Sequence, residues 1–186
     1  MRSNLIRLFA IFSITFMSTL NMSDTSQAAD LENTLYLELE HGRVVIEMRP
    51  DLAPKHVAQI KKLVRQKFYD GLTFHRVIAG FMAQGGDPKG DGTGGSGEYI
   101  PAEFSDEPHV RGTLSMARSQ LPNSASSQFF IVFAKSPFLD GKYSVWGKVS
   151  EGMKYVSMIK RGDEADNGTV ADPDKIVSMR VAADVE

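Results

Sequence analysis

One arginine and one glutamine stand inside an otherwise apolar stretch of this chain, Phe74-His75-Arg76-Val77-Ile78-Ala79-Gly80-Phe81-Met82-Ala83-Gln84-Gly85-Gly86-Asp87. A guanidinium among residues that favour burial loses hydration unless it finds a partner. Read as a strand, the stretch alternates with period 2, placing Phe74, Arg76 and Ile78 on one face and His75 and Val77 on the other. After Gly80 the pattern restarts, with Met82 and Gln84 sharing a face. Arg76, Met82 and Gln84 then form one wall that offers a cation, an amide and a thioether but no carboxylate. Such a wall suits an uncharged, partly apolar ligand that carries a carbonyl.

Two further pieces have the same character. In Ser127-Gln128-Phe129-Phe130-Ile131, which follows Leu114-Ser115-Met116-Ala117-Arg118 along the chain, a strand would put Gln128 and Phe130 on the face of Val132. Phe138-Leu139-Asp140-Gly141-Lys142-Tyr143 sets two large apolar residues just before a turn.

Other chemistries lack their residues. The glycine-dense run from Gly85 to Gly97 contains neither a phosphate-binding Gly-x-x-x-x-Gly-Lys-Ser/Thr nor a dinucleotide fingerprint, and is read as a mobile surface loop. Asp87 and Asp91, with Lys89 between them, fail the calcium-loop pattern. Glu98 stands where a nucleophile elbow would need its second glycine. His41, His56, His75 and His109 fall in unrelated contexts and no cysteine is present, so neither a metal nor a cofactor is expected. His75 points away from Arg76 on alternation and is read as a buried, hydrogen-bonded structural residue. Asn167-Gly168-Thr169 matches a glycosylation acceptor only formally.

The composition is that of an ordinary globular chain, with 42% hydrophobic and 24% charged residues among 186. Its start differs. Arg2 and Arg7 precede a charge-free, mostly apolar run over residues 8–20, and Ser26-Gln27-Ala28 follows as a cleavage signature. Residues 1–29 therefore read as a secretory leader that is removed, and residues 30–186 as one domain. The apolar run is short for a membrane span, which needs about 20 residues. Loss of the leader removes Arg2, Arg7 and Asp24, so 21 basic residues become 19, 23 acidic ones become 22, and the net charge moves from −2 to about −3. That balance argues against nucleic acid as a partner. Export across the inner membrane places the mature chain in the periplasm, and a monomer is the expected state.

The elements that position these residues are legible from their periods. Leu35, Leu37 and Leu39, then Val44, Ile46 and Met48, alternate on either side of a short polar turn, as in a β-hairpin. Pro54 opens a helix with Val57, Ile60, Val64 and Phe68 as its apolar stripe and Lys55, Lys61, Lys62 and Arg65 largely on the wet side. Strands are expected over residues 112–117, 128–133, 144–149 and 175–181, and a second short helix around Met153, Val156 and Ile159. Many strands with a helix near each end predict a mainly β fold, a closed or nearly closed antiparallel barrel with helical covers.

Taken together, the stretch from Phe74 to Asp87, Gly92-Thr93-Gly94-Gly95, Leu114-Ser115-Met116-Ala117, Ser127-Gln128-Phe129-Phe130-Ile131 and Phe138-Leu139-Asp140-Gly141-Lys142 resemble the cyclophilin family of peptidyl-prolyl cis–trans isomerases. The resemblance implies a closed eight-stranded antiparallel β-barrel capped by two α-helices. It implies Arg76 as the catalytic arginine, with Phe81, Met82, Phe130 and Leu139 receiving the proline ring of a proline-containing peptide. Gln84 and Gln128 match amides that hold substrate backbone, Ala117 a groove position, His75 a neighbour of the arginine, and Gly92 a secondary pocket for the residue before proline.

Three departures accompany the match. Phe138 replaces a tryptophan whose indole N–H binds cyclosporin in many eukaryotic members, so weak cyclosporin binding is expected. Tyr143 replaces a histidine. Arg118 and Ser119, followed by Gln120-Leu121-Pro122-Asn123, replace an asparagine–alanine pair and add a cation expected to shift sequence preference. These features resemble the bacterial exported branch, whose members assist the folding of exported proteins. A module that grips proline-containing segments without turnover is the competing reading, and the retained Arg76, Gln84 and Gln128 argue against it.

Overall fold

The computed structural model describes residues 31–186; the expected leader lies outside the described residues. Strand β1 (Thr34–Leu39) buries Leu35, Leu37 and Leu39, and β2 (Gly42–Met48) buries Val44, Ile46 and Met48. They pair antiparallel with Leu37 opposite Val44 and Leu35 opposite Ile46, the hairpin read from alternation. Gly42 makes the turn possible, because a Cβ there would stand 2.6 Å from the Tyr155 ring.

Helix α1 (Pro54–Arg65) starts on its proline and buries His56, Val57, Ile60, Leu63 and Val64. Ala53 at its N-cap has no side-chain oxygen to offer. The Glu103 carboxylate supplies the cap from 47 residues away, accepting the backbone N–H of His56 at 3.0 Å and that of Lys55 at 3.1 Å. The same carboxylate meets His56 Nδ1 at 2.6 Å. The helix ends before Phe68, which packs against the core from the following turn rather than from the helical stripe.

The remaining strands are β3 (Arg76–Ile78), β4 (Met82–Gly85), β5 (Thr113–Met116), β6 (Phe129–Val132), β7 (Val145–Glu151) and β8 (Ser178–Val181). A short helix α2 (Met153–Val156) follows β7. All eight strands form one antiparallel sheet in the order β3-β4-β6-β5-β7-β2-β1-β8. The expected barrel takes the form of a curled sheet whose edges, β3 and β8, are joined by an irregular segment instead of a ladder. Residues 160–177 lie along that seam. On one side Val77 N–H donates to Gly168 O at 2.8 Å and Val170 N–H to His75 O at 3.0 Å; on the other, Val177 N–H donates to Glu38 O of β1 at 2.9 Å.

Strand alternation sorts the apolar residues into two bodies. Phe129 and Ile131 of β6 enter the main core, where the Phe129 ring meets those of Tyr69, Trp146 and Phe74 edge-on at 5.7, 5.8 and 6.4 Å. Each such buried side chain contributes roughly 1.5–3 kcal/mol. Phe130 and Val132, on the other face of β6, join Met82 and Leu139 in a second, smaller cluster. That cluster is where the polar wall stands.

Candidate active site

The β3–β4 hairpin builds the wall. Its register sets Arg76 opposite Gln84 and Ile78 opposite Met82, so the arginine and the amide are direct cross-strand neighbours. Arg76 Nη1 donates to Gln84 Oε1 at 3.1 Å and lies 4.0 Å from Met82 Sδ. The alternation fails one residue earlier. Phe74 turns into the main core beside Val77 instead of joining Arg76, because β3 begins only at Arg76 and the chain before it is irregular.

Asn167, on the seam segment, holds the other side of the guanidinium. Its backbone oxygen accepts from Arg76 Nε at 2.9 Å and its Oδ1 from Nη2 at 3.0 Å. Arg76 is half-buried and forms no ion pair among the described residues. Burial lowers its pKa, but a guanidinium starts so far above neutrality that the group stays charged.

Beside it opens a cavity of about 370 Å³ lined by Phe81, Met82, Phe130, Phe138, Leu139 and Tyr143, with Arg76 and Gln84 at its edge. Phe130 faces Gln84 across the β4–β6 ladder, and Leu139 comes from the short 3₁₀ turn Pro137–Leu139. The Phe81 and Phe138 rings lie 5.3 Å apart, and Tyr143 meets Phe130 edge-on at 5.7 Å. His109, fully buried, stacks on Phe130 at 6.3 Å; its Nδ1 meets Asp140 Oδ1 and its Nε2 meets Ser115 Oγ, each at 2.8 Å. These three residues look like a hydrolytic triad on paper. Ser115 is wholly buried, however, and the group braces the back of the cavity instead.

A second, polar cavity of about 410 Å³ shares Gln84, Ala117 and Arg118 with the first and is lined further by Gly92, Thr93 and Gln128. The glycine run that forms its far side is anchored, not mobile as expected. Asp87 is buried beneath it and accepts the N–H groups of Lys89 at 2.9 Å and Gly92 at 2.6 Å. Gln84 Nε2 donates to Gln128 Oε1 at 2.8 Å, and Gln128 Nε2 donates to the carbonyls of Gly92 at 3.0 Å and Gly94 at 2.8 Å. The two amides therefore form a relay from the arginine to the loop.

Arg118 sits over the Tyr143 ring at 4.7 Å and the Phe104 ring at 5.5 Å. It donates to the carbonyls of Lys142, Ser119 and Gln120, so its nitrogens hold the turn together. His75 is buried as expected, but neither ring nitrogen has a hydrogen-bond partner among the described residues, and burial lowers its pKa. It lines neither cavity. Reasoning from sequence missed Asn167, Asp87 and His109. The Asn-Gly pair, a signature of left-handed turns, is the one signal that could have marked Asn167.

A family model described as cyclophilin type peptidyl-prolyl cis-trans isomerase/CLD matches residues 34–181, the whole of the curled sheet. The chain is a cyclophilin. It is 59% identical over 174 residues to a protein of Brucella suis named as a probable peptidyl-prolyl cis-trans isomerase, the match covering 87% of this chain and 89% of that one. Among solved structures it is similar to a cyclophilin from Hirschia baltica, with a TM-score of 0.75, 33% identity, and 84% and 76% of the two chains covered. It is also similar to a cyclophilin-type isomerase of Cryptosporidium parvum crystallised in the presence of the dipeptide Ala-Pro, with a TM-score of 0.72, 30% identity, and 80% and 98% coverage. This cyclophilin is accordingly a peptidyl-prolyl cis–trans isomerase with the cyclophilin fold, an enzyme that rotates an amide and makes no covalent change.

Proposed function

We propose that this cyclophilin works on X–Pro bonds in unfolded or extended segments of exported proteins, with Arg76 meeting the twisted amide. The observation that carries this reading is the guanidinium itself, charged, half-buried and held by neutral oxygens at the edge of an apolar cavity. An X–Pro bond rotates over a barrier near ~20 kcal/mol because its C–N bond has partial double-bond character. On twisting, the prolyl nitrogen loses conjugation and gains a basic lone pair. A donor aimed at that nitrogen, or at the carbonyl beside it, binds the twisted form better than either planar form. No proton moves, so no acid–base pair is required.

The apolar cavity of Phe81, Met82, Phe130 and Leu139 takes the proline ring in this reading. Gln84 and Gln128 hold the substrate backbone, and the polar cavity beside Gly92 and Ala117 takes a residue on the amino side of the proline. The basic start, short apolar run and small-residue signature of residues 1–29 support export to the periplasm and removal of the leader. The client is then an unfolded exported protein whose refolding waits on a prolyl bond, and the enzyme acts as a monomer.

The test is to express the full chain, recover the periplasmic fraction and sequence the N-terminus of the recovered protein. A chain beginning after residue 29, which accelerates the slow prolyl phase of a refolding exported protein, is the expected result. An unprocessed chain confined to the cytoplasm would overturn the exported role and leave the isomerase intact.

A further inference from the structure

Asn167 has backbone φ of +52°, one of two non-glycine residues in the left-handed region among the described residues. That conformation turns its own carbonyl and its side-chain Oδ1 to the same side, where they take Nε and Nη2 of Arg76 at 2.9 and 3.0 Å. Asparagine tolerates this backbone better than any other side chain long enough to reach back. The segment that carries it is fastened to the edge of β3. Gly162 N–H donates to Val77 O at 2.9 Å and Val77 N–H to Gly168 O at 2.8 Å. The fit leaves no room for side chains, since a Cβ on Gly162 would stand 1.9 Å from Gly168 O and one on Gly168 2.5 Å from Ile78 Cγ1.

We propose that Asn167 is a positioning residue for Arg76, clamping the guanidinium through two neutral oxygens so that it is fixed in direction yet keeps its whole charge for the ligand. The choice of a neutral residue is informative. The same turn carries Asp163, Glu164 and Asp166, and none of them pairs with Arg76. A carboxylate in place of Oδ1 would hold the fork equally well but cancel much of the field that a developing lone pair needs. Gln84 on the opposite side is neutral too, so the cation is gripped at three points without being neutralised.

The effect on rate rests on the proposed role of Arg76; the clamp itself does not. Two variants of the full-length protein separate them. Asn167→Gly keeps the left-handed backbone and the carbonyl acceptor and deletes only Oδ1; Asn167→Asp keeps the geometry and adds a charge. For Asn167→Gly, kcat/KM for a proline tetrapeptide falls about tenfold, almost all of it in kcat, while the melting temperature and the peptide Kd hold close to wild type. In ¹⁵N spectra the Arg76 Nη signals, separate in wild type, merge as rotation about Nε–Cζ becomes fast. For Asn167→Asp these signals stay separate and kcat/KM falls at least as far. Unchanged Nη signals in Asn167→Gly would overturn the clamp, and full activity in Asn167→Asp would overturn the need for neutral oxygens. Merged Nη signals with undiminished kcat in Asn167→Gly would leave the clamp standing and remove Arg76 from the rate-determining chemistry.

Discussion

Replacing Arg76 by alanine tests the centre of the mechanism. A guanidinium has five N–H donors, and three are committed, to Asn167 O, Asn167 Oδ1 and Gln84 Oε1. Among the described residues the others have only Met82 Sδ, at 4.0 Å, and Arg76 lines the cavity. A preorganised donor of this kind, in a water-poor site, is worth about 2.7–4 kcal/mol of transition-state stabilisation, or a factor of about 10² to 10³. That is less than the ~7 kcal/mol that an acceleration of ~10⁵-fold would need, so on the proposed reading the remainder falls to the apolar cavity and the two amides. For Arg76→Ala in a tetrapeptide isomerisation assay, kcat/KM is expected to fall about 10²- to 10³-fold. The Kd of a proline peptide, set mainly by six apolar cavity side chains that the change leaves in place, rises less than about tenfold. Arg76→Lys restores the charge but cannot satisfy three fixed acceptors with a flexible ammonium, so its rate lies nearer to alanine than to wild type. A kcat/KM for Arg76→Ala within threefold of wild type, in a folded protein, would refute the reasoning.

Glu103→Gln loses one of the two acceptors that cap α1 and the negative charge that strengthens its bond to the His56 ring, and costs about 1–2 kcal/mol at neutral pH by urea denaturation. Burial opposes the ionisation of Glu103, but its bonds to the His56 ring and to two backbone amides outweigh it and hold its pKa below the usual value of 4.5. Its stabilisation is therefore fully present above the unfolded pKa and is lost as pH falls through the folded one, so the gap between wild type and Glu103→Gln closes in acid. Between about pH 6.5 and 8.5 kcat/KM should be flat, because Arg76 stays charged and burial keeps His75 neutral there; a bell-shaped profile would bring an acid–base pair back into consideration. Phe138, more than half exposed beside Phe81, has no donor to offer; if cyclosporin binds weakly as the resemblance implies, Phe138→Trp should tighten its inhibition about five- to tenfold, read from the inhibition constant.

The wall of Arg76, Met82 and Gln84 was legible because a two-residue period and one glycine fix which side chains share a face. The hairpin, α1 and the split of β6 between two apolar bodies follow from the same arithmetic. What the sequence hid was long-range and irregular. Asn167 reaches Arg76 across 91 residues from a segment with no period at all. Glu103 caps a helix 47 residues away. The glycine run looked loose because its anchor, Asp87, is an ordinary-looking acid whose burial depends on backbone amides that no pattern of side chains reveals. Arg118 lines both cavities, and nothing in the sequence signalled that backbone carbonyls would hold its nitrogens there.

The relay from Arg76 through Gln84 and Gln128 to Gly92 and Gly94 has a direction: every bond in it is donated away from the guanidinium. Neither glutamine can turn its amide over without setting nitrogen against nitrogen on one side and oxygen against oxygen on the other. The sense of the whole line is thus dictated at one end, by a group that can only donate. If the two cavities take a polypeptide as proposed, it meets a ruler already marked, in which the spacing between the proline ring and its upstream neighbour is decided before either arrives.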